Sequence, residues 1–267
     1  MTEAKPSDTW AVGGLYEAYV GRWSRLVARE FLTWLAIPPH KDWLDVGCGA
    51  GALTQAILDQ ARPKSVRGVD PSSMLEHAKA SIIDARASFL PGDAQSLPLE
   101  AAAVDATVSG LVLNFVPDPA RGVAEMIRVT RPQGAVAAFV WDYAGKMEMM
   151  RYFWDAVVTL DKDAAELDEW PRFPICRPEP LAVLFSNAGL GNVVAHAIDV
   201  PTHFKNFDDY WTPFLGGQGP APSYVTSLDY ERQSILRDFI RGRLPKEKDG
   251  SIKLIARAWA VRGTVPG

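Results

Sequence analysis

The chain is short of cysteine, of histidine and of positive charge. Two cysteines in 267 residues, Cys48 and Cys176, lie far apart. That excludes a disulfide framework and is too sparse for a zinc site. Only four histidines are present, His40, His77, His196 and His203, so no metal-ligand cluster is expected. The formal net charge is −4, which removes any general attraction to phosphate backbones and argues against nucleic acid as a partner. A basic stretch, Arg237 to Lys253, is broken by Asp238, Glu247 and Asp249 and reads as a solvated surface. No run reaches the ~20 consecutive apolar residues of a membrane helix, and Met1–Asp8 lacks the apolar centre of a signal peptide. A reducing, cytoplasmic setting without a membrane span is the expectation.

What is present is enough apolar material for a large core, 48% hydrophobic against 22% charged residues. From Trp43 onward short apolar runs alternate with helical stretches, the βαβα pattern of a parallel sheet covered on both faces. Strands are expected at 43–46, 66–70, 88–91, 104–109 and 135–141, and helices at 52–59, 73–84 and 120–129. Beyond Asp142 the pattern predicts a helical run over 147–167, a helix over 181–188 and a strand over 193–200. A lid-like insertion over 201–222, a helix over 230–241 and a late strand over 252–261 follow. Apolar and aromatic residues at helical spacing from Tyr16 to Leu35 predict one or two helices ahead of the sheet. The expected organisation is a helical cover over 1–40 and a domain over 41–267, with variable segments near 143–180 and 201–250.

The segment Gly47-Cys48-Gly49-Ala50-Gly51-Ala52 follows a strand and opens a helix, so its backbone can approach a ligand closely. Read literally it also satisfies the dinucleotide pattern G-x-G-x-x-G/A, which keeps an NAD-linked oxidoreductase open. Three carboxylates bear on the choice. Asp45, two residues before the first glycine, would repel a pyrophosphate but attract an ammonium group. Asp70, in Val69-Asp70-Pro71-Ser72 at the end of the second strand, stands where ribose hydroxyls are gripped in either cofactor class. Asp93, in Gly92-Asp93-Ala94, could accept a hydrogen bond from an adenine amine.

These blocks, with Met74-Leu75, Leu97-Pro98 and Val104-Asp105 through Leu111-Val112-Leu113-Asn114-Phe115, resemble class I S-adenosylmethionine-dependent methyltransferases. The likeness is to the small-molecule branch that includes the ubiquinone and menaquinone biosynthesis C-methyltransferases, and it covers residues 40 to 142. It implies a Rossmann-like α/β fold with a mostly parallel seven-stranded sheet, helices on both faces and an antiparallel last strand. It also implies a contact set for S-adenosylmethionine: Gly47, Cys48, Gly49 and Gly51 under the methionine moiety, Asp70 with Pro71 and Ser72 at the ribose, Met74 on the adenine, Asp93 and Ala94 at its edge, and Gly110 and Leu111 at the amino group. Asp45 belongs to the same set. Tyr19 and Arg25, in the stretch before the sheet, carry the right donors for the methionine carboxylate.

Methyl transfer from a sulfonium asks the protein for alignment and desolvation, so a dedicated catalytic residue need not exist. His203, at the start of the aromatic insertion, is the candidate general base. Phe204, Phe207, Tyr210, Trp211 and Phe214, with Tyr152, Phe153 and Trp154, suggest an apolar or aromatic pocket for a small methyl acceptor. Monomer and homodimer both fit, and a non-catalytic protein that keeps the cofactor fold is the remaining alternative.

Overall fold

Asp42–Val46, buried at every position, forms strand β1. Parallel strands with helices on both faces have no solvated side, which is why Trp43, Leu44 and Val46 are buried, and with them Asp42 and Asp45. The computed structural model describes residues 21–216 and 219–267. The remaining strands are β2 (Ser65–Asp70), β3 (Ala87–Pro91), β4 (Val104–Gly110), β5 (Thr130–Trp141), β6 (Gly191–Phe204) and β7 (Ile252–Thr264). They form one seven-stranded sheet in the order β3-β2-β1-β4-β5-β7-β6. β1 pairs in parallel with β2 on one side and β4 on the other, and β3 and β5 extend the parallel run outward. β7 is antiparallel to β5, with Ala135 opposite Thr264 and Trp141 opposite Ala258. The Rossmann-like arrangement is as expected, and the chain direction across the sheet reverses between β1 and β4. In open α/β sheets that switch point is where ligands bind.

Helices α1 (Arg22–Leu35), α2 (Ala52–Gln60), α3 (Met74–Ser81) and α4 (Pro119–Val129) accompany the first five strands. α1 buries Val27, Ala28, Phe31 and Leu35, and the Phe31 ring lies 4.8 Å from that of Phe139 in β5. α4 begins where the Asp118 carboxylate accepts the Arg121 N–H at 3.0 Å and Pro119 takes the first turn. An N-cap acceptor and a proline without N–H both suit a helix start.

Later come α5 (Glu148–Leu160), α6 (Glu169–Arg172), α7 (Pro178–Asn187), α8 (Phe207–Trp211), α9 (Pro220–Ser227) and α10 (Tyr230–Arg243). The chain divides into two compact units. One holds residues 24–141, 175–198 and 258–267, and with them the parallel strands. The other holds 142–174 and 199–257 together with Gly21, Arg22 and Trp23.

Three expectations for this second unit need correction. The strand expected to stop at Val200 runs on to Phe204, and its buried positions alternate through Val200, Thr202 and Phe204. Pro201 reads as a terminator in sequence, but β6 is an edge strand, where a missing N–H is tolerated. No irregular lid therefore begins at residue 201. The aromatic residues, expected to line an acceptor pocket, pack mainly on one another. Phe153 stacks on Phe214 with centroids 4.5 Å apart, Tyr210 meets both Phe204 and Phe214 at 5.4 Å, and the Tyr210 hydroxyl donates to the Met149 carbonyl at 2.8 Å. These four rings are buried, as are Trp154, Phe207 and Trp211, so they form this unit's own core. The run expected to be helical over 147–167 also breaks at extended Asp161, and a 3-10 turn spans Lys162–Leu167.

Candidate functional site

The turn after β1 owes its shape to three glycines with left-handed backbones, Gly47 at φ 73°, Gly49 at 51° and Gly51 at 89°. Each has a different reason to lack a side chain. A Cβ on Gly47 would fall 2.5 Å from Val112, and one on Gly51 would fall 2.4 Å from Ile82. At Gly49 a Cβ would meet only the Met74 Cε, at 3.8 Å. The first and third glycines thus serve packing, and the middle one leaves backbone open to a ligand. The Gly47 and Cys48 N–H groups both donate to the Val69 carbonyl, at 2.7 and 3.1 Å, which pins the turn to the end of β2.

Asp70, at that strand end, is 7% exposed. One carboxylate oxygen accepts the Gly49 N–H at 2.8 Å, and the other accepts the Ser72 N–H at 2.8 Å and the Ser72 hydroxyl. Met74 follows, its N–H donating to the Ser72 hydroxyl oxygen at 3.3 Å, and Pro71 is exposed. Asp70 is thereby part of the turn that it faces.

Asp45 is 1% exposed. Its Oδ2 accepts the Thr54 hydroxyl at 2.7 Å, while its Oδ1 is buried with no hydrogen-bond partner among the described residues. Burial, reinforced by the nearby Asp70 charge, pushes its pKa up to about 7. A carboxyl in this state readily becomes a carboxylate when a cation arrives. Cys48 is buried beside it, and burial together with Asp45 and Asp70 drives its thiol far upward, which leaves it packing rather than reacting.

At the end of β4, a Cβ on Gly110 would lie 2.7 Å from the Phe139 ring. The next residue, Leu111, has φ 62°, a left-handed backbone that costs a non-glycine residue about 1 kcal/mol or more. Its N–H donates to the Phe139 carbonyl at 2.8 Å, and the Ser109 hydroxyl ties β4 to the Val46 carbonyl at 2.9 Å. Asp93 is exposed after β3, and its carboxylate accepts the Gln95 N–H at 2.7 Å; Ala94 beside it is half-buried. The topology thus brings the turn, Asp70 and Gly110-Leu111 to the C-terminal ends of the adjacent strands β2, β1 and β4, with Asp93 just past β3.

Tyr19 falls outside the described residues. Arg25 is exposed on α1. His203 is an exposed residue within β6, between buried Thr202 and Phe204, and not the opening of an insertion; the other three histidines are exposed as well. Thr54, which positions Asp45, carried no signal in the sequence, and Asn114, part of the fourth block, has a side-chain nitrogen that is buried without a partner among the described residues. The described residues hold no cluster of His, Cys, Asp or Glu able to bind a metal, and no described helix is long and apolar enough to cross a membrane.

The site therefore offers open glycine backbone and two buried carboxyls, with no basic side chain on the turn itself. This combination suits a nucleoside that carries positive charge and opposes a pyrophosphate. Residues 44–138 match the family described as methyltransferase domain. Over these residues the chain is similar to the class I S-adenosylmethionine-dependent methyltransferases.

The chain is 26% identical to the 2-methyl-6-phytyl-1,4-hydroquinone methyltransferase of Synechocystis, over 81% of its own length and 74% of the relative's. It is 34% identical to the malonyl-[acyl-carrier protein] O-methyltransferase of Serratia marcescens, over 45% of each chain. The match thus spans less than half of the latter enzyme. Among solved structures, the Haemonchus contortus phosphoethanolamine N-methyltransferase 2, in complex with S-adenosylhomocysteine, has a TM-score of 0.59 at 15% identity, over 95% of this chain and 57% of that one. S-adenosylmethionine is the cofactor, and the NAD-linked alternative is set aside.

Proposed function

We propose that the enzyme methylates a small organic acceptor with an apolar or aromatic body, at oxygen, carbon or nitrogen, in the cytoplasm. The observation that carries the cofactor half of this reading is Asp45, a buried carboxyl with one oxygen unused beside an open glycine backbone. In this reading Asp45 supplies negative charge to the methionine ammonium through water, and Gly47, Cys48, Gly49 and Gly51 run beneath the methionine chain. Asp70, with Pro71 and Ser72, takes the ribose hydroxyls, exchanging its Ser72 contact for them. Met74 packs on the adenine, Asp93 and Ala94 meet its edge, and the strained Gly110-Leu111 backbone presents main-chain groups to the amino end.

The bound cofactor supplies an activated methyl group on a sulfonium. The protein's part is to align donor and acceptor and to exclude water. His203, exposed within β6, remains the candidate general base in this reading, and without a base the rate follows the acceptor's own ionisation. The names of the hydroquinone and malonyl relatives support an acceptor that is itself a good carbon or oxygen nucleophile. Both cysteines are buried and unbridged, which supports the cytoplasmic setting.

Titration calorimetry with S-adenosylmethionine and S-adenosylhomocysteine tests the cofactor half, and dissociation constants near or below about 100 μM are expected. No binding at millimolar cofactor overturns it. Turnover against a panel of phenols, hydroquinones, carboxylic acids and amines tests the acceptor half, and methylation confined to macromolecules would overturn that.

A further inference from the structure

Residues between 144 and 171 surround an open cavity of about 670 Å³, a volume within the roughly 300–1,000 Å³ typical of small-molecule sites. One wall is a face of α5, where Arg151, Asp155 and Thr159 follow at four-residue spacing with Val158 beside them. The other is the start of α6, where Asp168, Trp170 and Pro171 line the same space. All of these residues belong to the unit that holds 142–174, so the cavity lies within that unit.

Asp168 joins the two walls. Its carboxylate takes both Nη nitrogens of Arg151, at 2.9 to 3.1 Å, and its Oδ1 also accepts the Trp170 N–H at 3.0 Å, which caps α6. Nη1 of Arg151 donates to the Tyr143 carbonyl at 3.0 Å as well, and Nη2 donates to Asp155 at 2.8 Å. A frame tied in this way is preorganised for a ligand.

The same bonds decide which sign of charge the cavity offers. Among the described residues that line it, Arg151 is the one cation, and it is shared by two carboxylates, Asp155 and Asp168. One negative charge is left over. It sits at Asp155, since the Asp168 side chain is only 7% exposed with both oxygens bonded, whereas that of Asp155 is 68% exposed and bonded to Arg151 through Oδ1. The Thr159 hydroxyl gives its proton to the Asp155 carbonyl at 2.6 Å, and its oxygen keeps the capacity to accept. Trp170 is 39% exposed on the opposite wall. A carboxylate in excess facing an exposed indole is the pairing that recognises organic cations.

We propose that this cavity is a binding site for a small organic ammonium ion with a flat, apolar body. The ammonium group pairs with Asp155, with the Thr159 oxygen as a further acceptor, and the body lies against Trp170, Val158 and Pro171. An anion is repelled by the excess charge, and a neutral ligand of the same shape forgoes the ion pair. The site rests on residues 144–171 alone and does not need the methyl-transfer reading.

Titration calorimetry of 2-phenylethylamine into the full chain, against 2-phenylethanol and 3-phenylpropionate, tests it. At pH 7 the protonated amine binds roughly tenfold or more tightly than the alcohol, and the acid binds more weakly than either. Asp155→Asn, which keeps an acceptor for Arg151, removes the difference between amine and alcohol with the melting temperature preserved. Trp170→Ala weakens amine and alcohol alike, and Trp170→Phe retains part of both. Equal binding of amine and alcohol by the wild type, or a difference that survives Asp155→Asn, overturns the proposal. So does a difference lost in Asp45→Asn and kept in Asp155→Asn, since the ammonium then sits at the glycine turn. Failure of S-adenosylmethionine to bind the wild type would instead strike the methyl-transfer reading and leave the amine–alcohol comparison standing.

Discussion

The carboxylate of Asp70 accepts the Gly49 N–H at 2.8 Å, so the middle glycine of the β1 turn is oriented by a side chain from the next strand. Removing the carboxylate leaves a part-buried N–H without an acceptor and frees the turn. Asp70→Ala should lower stability by about 1–3 kcal/mol and weaken S-adenosylmethionine by at least about a hundredfold, since ribose contacts go as well. Calorimetry and thermal melting on one preparation check both effects. Unchanged affinity with lowered stability would mean that Asp70 only builds the turn.

The same turn separates its glycines by experiment. Gly47→Ala places a Cβ 2.5 to 2.9 Å from three carbons of Val112 at φ 73°, and about 2–4 kcal/mol of stability should be lost. Gly49→Ala meets one flexible methionine carbon at 3.8 Å and should cost only about 1 kcal/mol for its left-handed backbone. Yet Gly49→Ala should lose more cofactor affinity than stability, because its Cβ enters the open space above the turn. Equal losses in both variants, seen by melting and by calorimetry, would remove Gly49 from the ligand surface.

How much of this was legible before the fold was known depends on how local each signal is. The turn, Asp45, Asp70 and the parallel strands were readable because buried parallel strands leave continuous apolar runs, and because strand-to-helix glycines sit in one short segment. Pro201 misled because a proline inside a strand is legible only once the strand is known to be an edge. Arg25, expected to meet the methionine carboxylate, is exposed on α1, while Arg22, three positions earlier on the same helix, is tied into a long-range ion pair. What distinguishes Arg22 is Asp209 and Phe204, more than 180 residues away, and no spacing rule reaches that far. The aromatic residues of 204–214 were visible as a group, but whether rings face a ligand or each other is a property of packing.

Glu169 is a second buried acid, 2% exposed, and its carboxyl accepts the Trp154 indole N–H while its Oε1 has no partner. Burial raises its pKa to about 8 from the ordinary glutamate value of 4.5, so the folded state holds a proton that the unfolded chain gives up. The stability tied to that proton is fully present below about pH 4.5 and is lost as pH rises toward 8. Glu169→Gln should flatten the melting temperature against pH across this window while keeping an acceptor for Trp154. Glu169→Ala should cost about 2–4 kcal/mol at any pH, by stranding the indole N–H and opening a void. A pH profile identical in Glu169→Gln and wild type would show that the carboxyl ionises freely.

Asp45 gives the same sign for stability and the opposite one for binding. Its pKa stands near 7 in the free protein, so stability falls as pH rises from about 4 to 7, and Asp45→Asn should remove that part of the slope. Binding runs the other way, because an ammonium group beside the carboxyl favours its ionised form and the proton must leave before the pair forms. S-adenosylmethionine should therefore bind the wild type up to about tenfold more tightly at pH 8 than at pH 6, with the gain levelling off above the free-protein pKa. In Asp45→Asn the affinity should be lower and nearly independent of pH in this range. The comparison with 5′-methylthioadenosine isolates the cause, because that nucleoside has no ammonium and its affinity should not rise with pH in either protein. A wild-type slope that persists in Asp45→Asn would place the titrating group elsewhere and leave the unused Asp45 oxygen without its assigned partner.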